Sequence, residues 1–307
     1  MIKFYLIIGI ELLFSPFLYI WEEIKKITGK YAVDPSYKIN KHVLDNEVIF
    51  AVHEWAGYHF VREKTIKYVN HKFSCGLKYH FDRLSVYNGA YTIKKILTVS
   101  ECNDAYIEKL KGTEFYTDGF EVHPVVNNAM DFSGYSFVCE KLLDQNKDQI
   151  VFLTNTSIDS ALTSFIDEYI QLFKDQPELG LLGISYSTKI YQTFIRNNFR
   201  PHLQSFFLMS RSSVLKELLE SNGGHLPGAT ETYKLSIIRF GEVKITEMVQ
   251  KLGYKVAVIT EDGEFKVIPR NGFYYNKYKE WTLPMNDYRL HVKHPNRINP
   301  LKANYEI

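Results

Sequence analysis

Residues 150–159 read Ile150-Val151-Phe152-Leu153-Thr154-Asn155-Thr156-Ser157-Ile158-Asp159, and the fold class turns on this stretch. Its first half is a short apolar run of β-branched and aromatic side chains without polar alternation. Such a run suits a strand buried on both faces, as in a parallel sheet. Its second half changes to hydroxyls, an amide and a carboxylate. In open α/β sheets, ligands sit just beyond the carboxyl ends of the strands, where side chains cease to be apolar. The same polar residues have a structural reading. Ser157 or Asp159 can accept an orphan backbone N–H of the helix expected over 161–173.

Strand and helix signals alternate on both sides of this stretch. Upstream, 47–52 (EVIFAV) reads as the first core strand, 60–70 as a helix, and 76–87 as a helix with Leu77, Phe81, Leu84 and Tyr87 at helical spacing. Residues 93–99 read as a strand, 105–110 as a helix, 119–126 as extended chain and 136–144 as a helix. Downstream, 179–186 and 205–210 read as strands, and 212–220 as a helix. Residues 241–252 form a helix ending at a C-cap glycine, Gly253, before a last strand at 255–259. This alternation predicts an α/β domain over 47–260, with a single Rossmann-like, mostly parallel sheet flanked by helices.

At 307 residues, 45% apolar and 23% charged, the chain has enough apolar material for one large core. A net charge of +2 supplies no global basic field for nucleic acid. Cys75, Cys102 and Cys139 show no metal-binding spacing and read as small core residues. Residues 4–21 (FYLIIGIELLFSPFLYIW) approach the ~20 apolar residues of a bilayer span, with Glu11 and Pro16 interrupting. Residues 1–30 are therefore read as an apolar N-terminal helix: a membrane anchor, an interfacial helix, or a helix buried on the domain. Lys25, Lys26 and Lys30 follow it, which on the positive-inside rule leaves the remainder cytoplasmic and membrane-associated. Residues 31–46 read as a linker and 261–307 as an extension packing on the domain.

Several common α/β chemistries lack their signatures. There is no G-x-G-x-x-G after a strand, no P-loop, no G-x-S-x-G elbow and no H-E-x-x-H.

Four segments, in order, resemble bacterial nucleotide-sugar glycosyltransferases of the rhamnan-synthesis F kind, which have the glycosyltransferase-A fold. The first is Asn127-Asn128-Ala129-Met130-Asp131-Phe132-Ser133-Gly134-Tyr135, similar to an N-x-G-x-D-F-G-A-Y turn. The second is Phe152-Leu153-Thr154-Asn155-Thr156-Ser157, similar to a strand ending in N-D-S. The third, His202-Leu203-Gln204-Ser205-Phe206-Phe207-Leu208, matches H-L-Q-S-[YF]-F-L. The fourth is Gly241-Glu242-Val243-Lys244-Ile245-Thr246 with Gly253-Tyr254 downstream. Two positions depart from the pattern: Ala129 replaces a glycine, and Thr156 replaces the acidic residue of N-D-S.

The resemblance implies an inverting transfer from a nucleotide-sugar donor to a glycan or lipid-linked acceptor at a membrane surface, in surface polysaccharide biosynthesis. Glu242 is then the base on the acceptor hydroxyl, at the start of its helix. Asp131, Asn155, Ser157, His202, Gln204 and His53 are the donor-binding candidates. A divalent cation, manganese or magnesium, is implied at the sugar diphosphate, with Asp159 as its candidate ligand. Thr156 counts against it, because hard cations favour carboxylate oxygens. Two other readings stand beside this one: a non-catalytic relative serving as a binding or scaffold subunit, and an unrelated α/β binding protein.

Overall fold

The computed structural model describes residues 1–27, 43–66, 71–144, 146–160, 164–187, 202–268 and 296–302. Helices α1 (Ile2–Leu13) and α2 (Ser15–Ile27) come first. The body continues through β1 (Glu47–Trp55), β2 (Arg62–Ile66), β3 (His71–Cys75), α3 (Leu77–Ser85), β4 (Thr92–Ser100), α4 (Asp104–Lys111) and β5 (Phe120–Val125). Then follow α5 (Asp131–Phe137), β6 (Ile150–Asn155), α6 (Phe165–Asp175), β7 (Leu179–Gly183), β8 (Tyr186–Ser187), β9 (His202–Leu203), β10 (Phe207–Arg211) and α7 (Ser212–Ser221). Helices α8 (Lys234–Ile237) and α9 (Lys244–Lys251) precede β11 (Lys255–Ile259) and β12 (Phe265–Val267).

Eight strands form the main sheet in the order β12-β11-β7-β10-β6-β1-β4-β5. Strands β6, β1, β4 and β5 are parallel, as are β7 and β11, while β10 and β12 run antiparallel to their neighbours. The mostly parallel α/β expectation holds.

Every residue of β6 is buried, which is why its sequence carries no polar alternation. Its register on β1 aligns Phe50 with Phe152 and Ala51 with Leu153. Successive side chains go to opposite faces, so Phe50 and Phe152 join Phe165 and Phe207 in one core. Ile49, Ala51, Val151 and Leu153 join Phe132 and Tyr135 in the other. Residues 296–302 pack on the first core through Ile298, and the Tyr169 hydroxyl donates to the Asn299 carbonyl at 2.5 Å.

Several sequence expectations are corrected. The helix expected over 60–70 is a hairpin, with β2 antiparallel to β3; residues 67–70 lie outside the described residues. Glu63 and Thr65 are exposed while Arg62, Lys64 and Ile66 turn inward, a period of two in which the inward positions are mostly charged and so give no apolar signal. The helix expected at 136–144 starts earlier, at Asp131, and continues as a π-helical turn over Val138–Leu142. The helix expected over 161–173 has Ser164 at its N-cap position, so neither Ser157 nor Asp159 caps it.

The N-terminal segment is two helices rather than one. Pro16 has no N–H to continue the α1 ladder, so the chain breaks at Phe14. Among the described residues no helix is long and apolar enough to cross a membrane. Phe4 and Ile8 are buried, Lys3 pairs with Glu231 at 3.3 Å, and Glu11 pairs with Arg239. The opposite face leaves Ile2, Leu6, Leu13, Phe14 and Phe17 exposed. The linker expected over 31–46 lies largely outside the described residues, as does most of the tail beyond 268.

Candidate active site

A cavity of about 1000 Å³ opens beyond the carboxyl ends of β1 and β6. Strands β4 and β5 extend the sheet from β1 in one direction and β6 in the other. The cavity thus sits where strand order reverses, the usual crevice of an open α/β sheet.

Asn155 ties this end together. Its side-chain Nδ2 donates to Asp131 Oδ2 at 2.6 Å, and its Oδ1 accepts from the Ser157 N–H at 2.9 Å. Behind it, the Asn155 carbonyl faces His80 Nε2 at 3.0 Å. Asp131 is the first residue of α5, where a carboxylate is favoured by the helix dipole. The turn before it is closed by Ser133 Oγ, which accepts the N–H groups of Asn128 at 3.1 Å and Ala129 at 2.8 Å. Met130, not Ala129, takes the positive φ there (φ 52°, ψ −130°), so alanine at the glycine position meets no such strain.

Gly134 lets α5 approach the sheet. A Cβ on it would lie 2.2 Å from Thr98 Oγ1 and 2.3 Å from His53 Nδ1. Gly134→Ala should therefore lower stability by ~1–3 kcal/mol through overpacking, read as a lower urea midpoint at unchanged slope.

Glu242 approaches from the opposite wall. It lies in a π-helical turn, Ile238–Val243, inside a helical run from α8 to α9, and not at a helix start as expected. Such turns displace the helix axis locally and cluster at functional sites. Its position within the run also removes the dipole explanation for a glutamate there. Glu242 Oε1 accepts the Ser205 N–H at 2.8 Å, and Oε2 lies 3.8 Å from His202 Nε2. Burial lifts its pKa to about 7, against the lowering pull of Ser205. A carboxylate poised there is suited to exchange protons near neutrality.

The third wall is cationic. Arg62 Nη2 donates to the Thr156 carbonyl at 3.0 Å and to Thr156 Oγ1 at 2.7 Å. Lys64 Nζ donates to Ser157 Oγ at 2.5 Å. Glu54, at the end of β1, receives the Trp55 N–H at 2.9 Å and Arg62 Nη1 at 3.3 Å. Burial pushes Glu54 up to about 7, with Arg62 opposing.

Of the residues singled out in the sequence, Asp131, Asn155, Ser157, Gln204, Glu242 and His53 line the cavity. His53 does so with both ring nitrogens engaged, Nδ1 by Thr98 Oγ1 at 3.0 Å and Nε2 by Ser100 Oγ at 3.2 Å. Burial lowers its pKa, which keeps the ring neutral. His202 is not among the lining residues and sits behind Glu242. Asp159 is also off the cavity. Its N–H donates to the Asn296 carbonyl at 3.1 Å and its carbonyl accepts from Arg83 at 3.1 Å.

The residues present are a poor fit to a divalent cation. Of the carboxylates lining the cavity, Glu54 is engaged by Trp55 and Arg62, Asp131 by Asn155, and Glu242 by the Ser205 N–H. The strand end itself holds two basic side chains, and among the described residues no three His, Cys, Asp or Glu gather as a ligand set. Arg62 and Lys64 were not legible as site residues, because 60–70 was read as a helix, and Glu54 carried no motif of its own. The one available signal was the basic pair spaced by two in Arg62-Glu63-Lys64.

No protein-family model matches the sequence, and a search of curated proteins finds no match. Among solved structures, the chain is similar to 4-diphosphocytidyl-2C-methyl-D-erythritol synthase from Anaerococcus prevotii. The TM-score is 0.43 at 14% identity, covering 70% of this chain and 90% of that one. It is also similar to a mannosyltransferase from Pyrobaculum calidifontis whose structure is a complex with GDP-Man and Mn2+. That TM-score is 0.39 at 11% identity, covering 83% of this chain and 66% of that one.

Proposed function

We propose that this chain is a nucleotide-sugar-dependent glycosyltransferase, inverting, that acts on a glycan or lipid-linked acceptor. One observation carries the reading. Asp131, Asn155, Gln204 and Glu242, drawn from four separate motif segments, line a single cavity at the switch point of the sheet. In the reaction, the acceptor oxygen forms a new bond to the sugar C1 as the C1–O bond to the diphosphate breaks. The breaking bond's electron pair leaves on the phosphate oxygen, and the acceptor proton passes to Glu242. Asp131, oriented by Asn155, receives sugar or ribose hydroxyls of the donor.

The test is incubation of the full chain with a panel of nucleotide sugars, with and without manganese, following release of the nucleoside diphosphate. Turnover of at least one donor is expected. If no donor is bound or hydrolysed under either condition, the reading fails and a binding or scaffold role takes its place.

The same proposal places α1 and α2 on a membrane surface. Support comes from the exposed Leu6, Leu13, Phe14, Phe17 and Trp21, on helices too short and too interrupted to span. The full chain is expected to sediment with phosphatidylglycerol vesicles, and Phe17→Asp to remain in the supernatant. Wild-type protein staying in the supernatant would remove this part of the proposal.

A further inference from the structure

We propose that Arg62 and Lys64, carried on the β2–β3 hairpin, form the subsite for the donor's diphosphate and replace a divalent cation there. The inference rests on the glycosyltransferase reading above and names how its leaving group is held.

Location is the first argument. The resemblance puts a carboxylate at position 156, and Thr156 stands there instead. Both Thr156 oxygens face Arg62, and the adjacent Ser157 hydroxyl faces Lys64. Two positive charges therefore stand over the end of β6. A metal ion brought there would meet their repulsion, whereas an anion meets two positive charges and the donors that Lys64 Nζ keeps beyond its one bond.

Charge is the second. Lys64 is half-buried, and its bond is to a neutral hydroxyl; among the described residues it makes no ion pair. Desolvation lowers its pKa, the mark of an ammonium that would gain from an anionic neighbour. Arg62 has a partner in Glu54, but burial raises that carboxyl to about 7, so near neutrality it offsets the guanidinium only in part. Arg62 and Lys64 both line the cavity.

Rigidity is the third. The hairpin forms its own two-stranded sheet and is fastened at its base. The Lys78 N–H donates to the Phe60 carbonyl at 3.2 Å, and Cys75 bridges Asp159. Gly76 (φ 136°) passes so close to Phe60 that a Cβ would lie 2.2 Å from its carbonyl oxygen. The Tyr58 ring, 4.2 Å from the guanidinium carbon, fixes the plane of the Arg62 fork. Fixed cations aimed at the phosphate oxygen that receives the electron pair stabilise the departing diphosphate without reorganising.

Isothermal titration of the full chain tests this with UDP, GDP, CDP and dTDP and their monophosphates, in EDTA and in manganese. One diphosphate is expected to bind in EDTA within ~3-fold of its affinity in manganese, since charge-assisted bonds to fixed cations need no metal. Lys64→Gln and Arg62→Gln should each weaken that diphosphate by ~10-fold or more and the monophosphate less. Lys64→Arg should restore binding. Lys64→Gln breaks only a hydroxyl contact, so an unchanged melting temperature certifies its fold. Binding that requires manganese, or that ignores both substitutions, overturns the subsite while leaving the glycosyltransferase reading standing. Absence of any nucleotide binding in either condition overturns both.

Discussion

Glu242→Gln should lower turnover by ~100-fold or more with little change in donor affinity, because a general base acts on the acceptor proton in the transition state. Single-turnover transfer measurements check it. An unchanged rate would mean that Glu242 holds the Ser205 N–H and nothing more. In the wild type, activity should rise with pH as Glu242 deprotonates, with a midpoint near its pKa of about 7. The substitution should abolish that limb along with the rate.

The same residue makes a stability prediction of opposite sense. Its pKa goes from 4.5 to about 7 on folding. Below 4.5 the carboxyl is protonated in both states and costs nothing. Between the two values the unfolded chain ionises while the folded one resists, so stability falls as pH rises, and above about 7 the penalty is complete. On that basis the buried charge costs on the order of 3 kcal/mol at alkaline pH. Glu242→Gln should therefore melt higher than wild type at pH 8, with a smaller gain at pH 5. An equal gain at both pH values would exclude titration of this carboxyl as the cause. Activity and stability would thus move in opposite directions at one position, as expected where a site holds a group at an unfavourable pKa.

Phe152→Ala should destabilise the domain by ~3–5 kcal/mol. The ring lies in the centre of β6, stacked on Phe50 at 5.0 Å and edge-on to Phe207 at 5.8 Å and Phe165 at 6.1 Å. Strands on both sides and helix α6 above it leave no solvent-facing route for collapse, so the cavity persists. Urea unfolding measures the loss. A cost below ~1 kcal/mol would mean that the neighbouring rings close the space.

Much of the architecture was legible because its strands are buried on both faces. That burial writes the apolar runs of β1, β4, β6 and β11 directly into local sequence, and the helices between them keep their own period. Gly253 was readable as a C-cap because its left-handed backbone (φ 88°) demands a residue without Cβ strain. The hairpin at 62–75 was not legible. Residues 62–66 are three charged side chains followed by Thr65 and Ile66, without an apolar face, so the strand period left no apolar pattern to read. Glu242 was singled out as a residue, but its setting in a π-helical turn was hidden, since no sequence period distinguishes one extra residue per turn.

By itself the sequence determined the alternating α/β order, the double burial of residues 150–155 and the motif residues Asp131, Asn155, Gln204 and Glu242. Each is a matter of local composition or of a short pattern. Only the tertiary structure decided which of those residues share a cavity, that His202 backs Glu242 while Asp159 turns away, and that Arg62 and Lys64 stand over Thr156 and Ser157. Arg62 and Thr156 are 94 positions apart and meet across a hydrogen bond of 2.7 Å. Such a meeting depends on how a hairpin folds back over the end of a distant strand, and no local property of either segment encodes it.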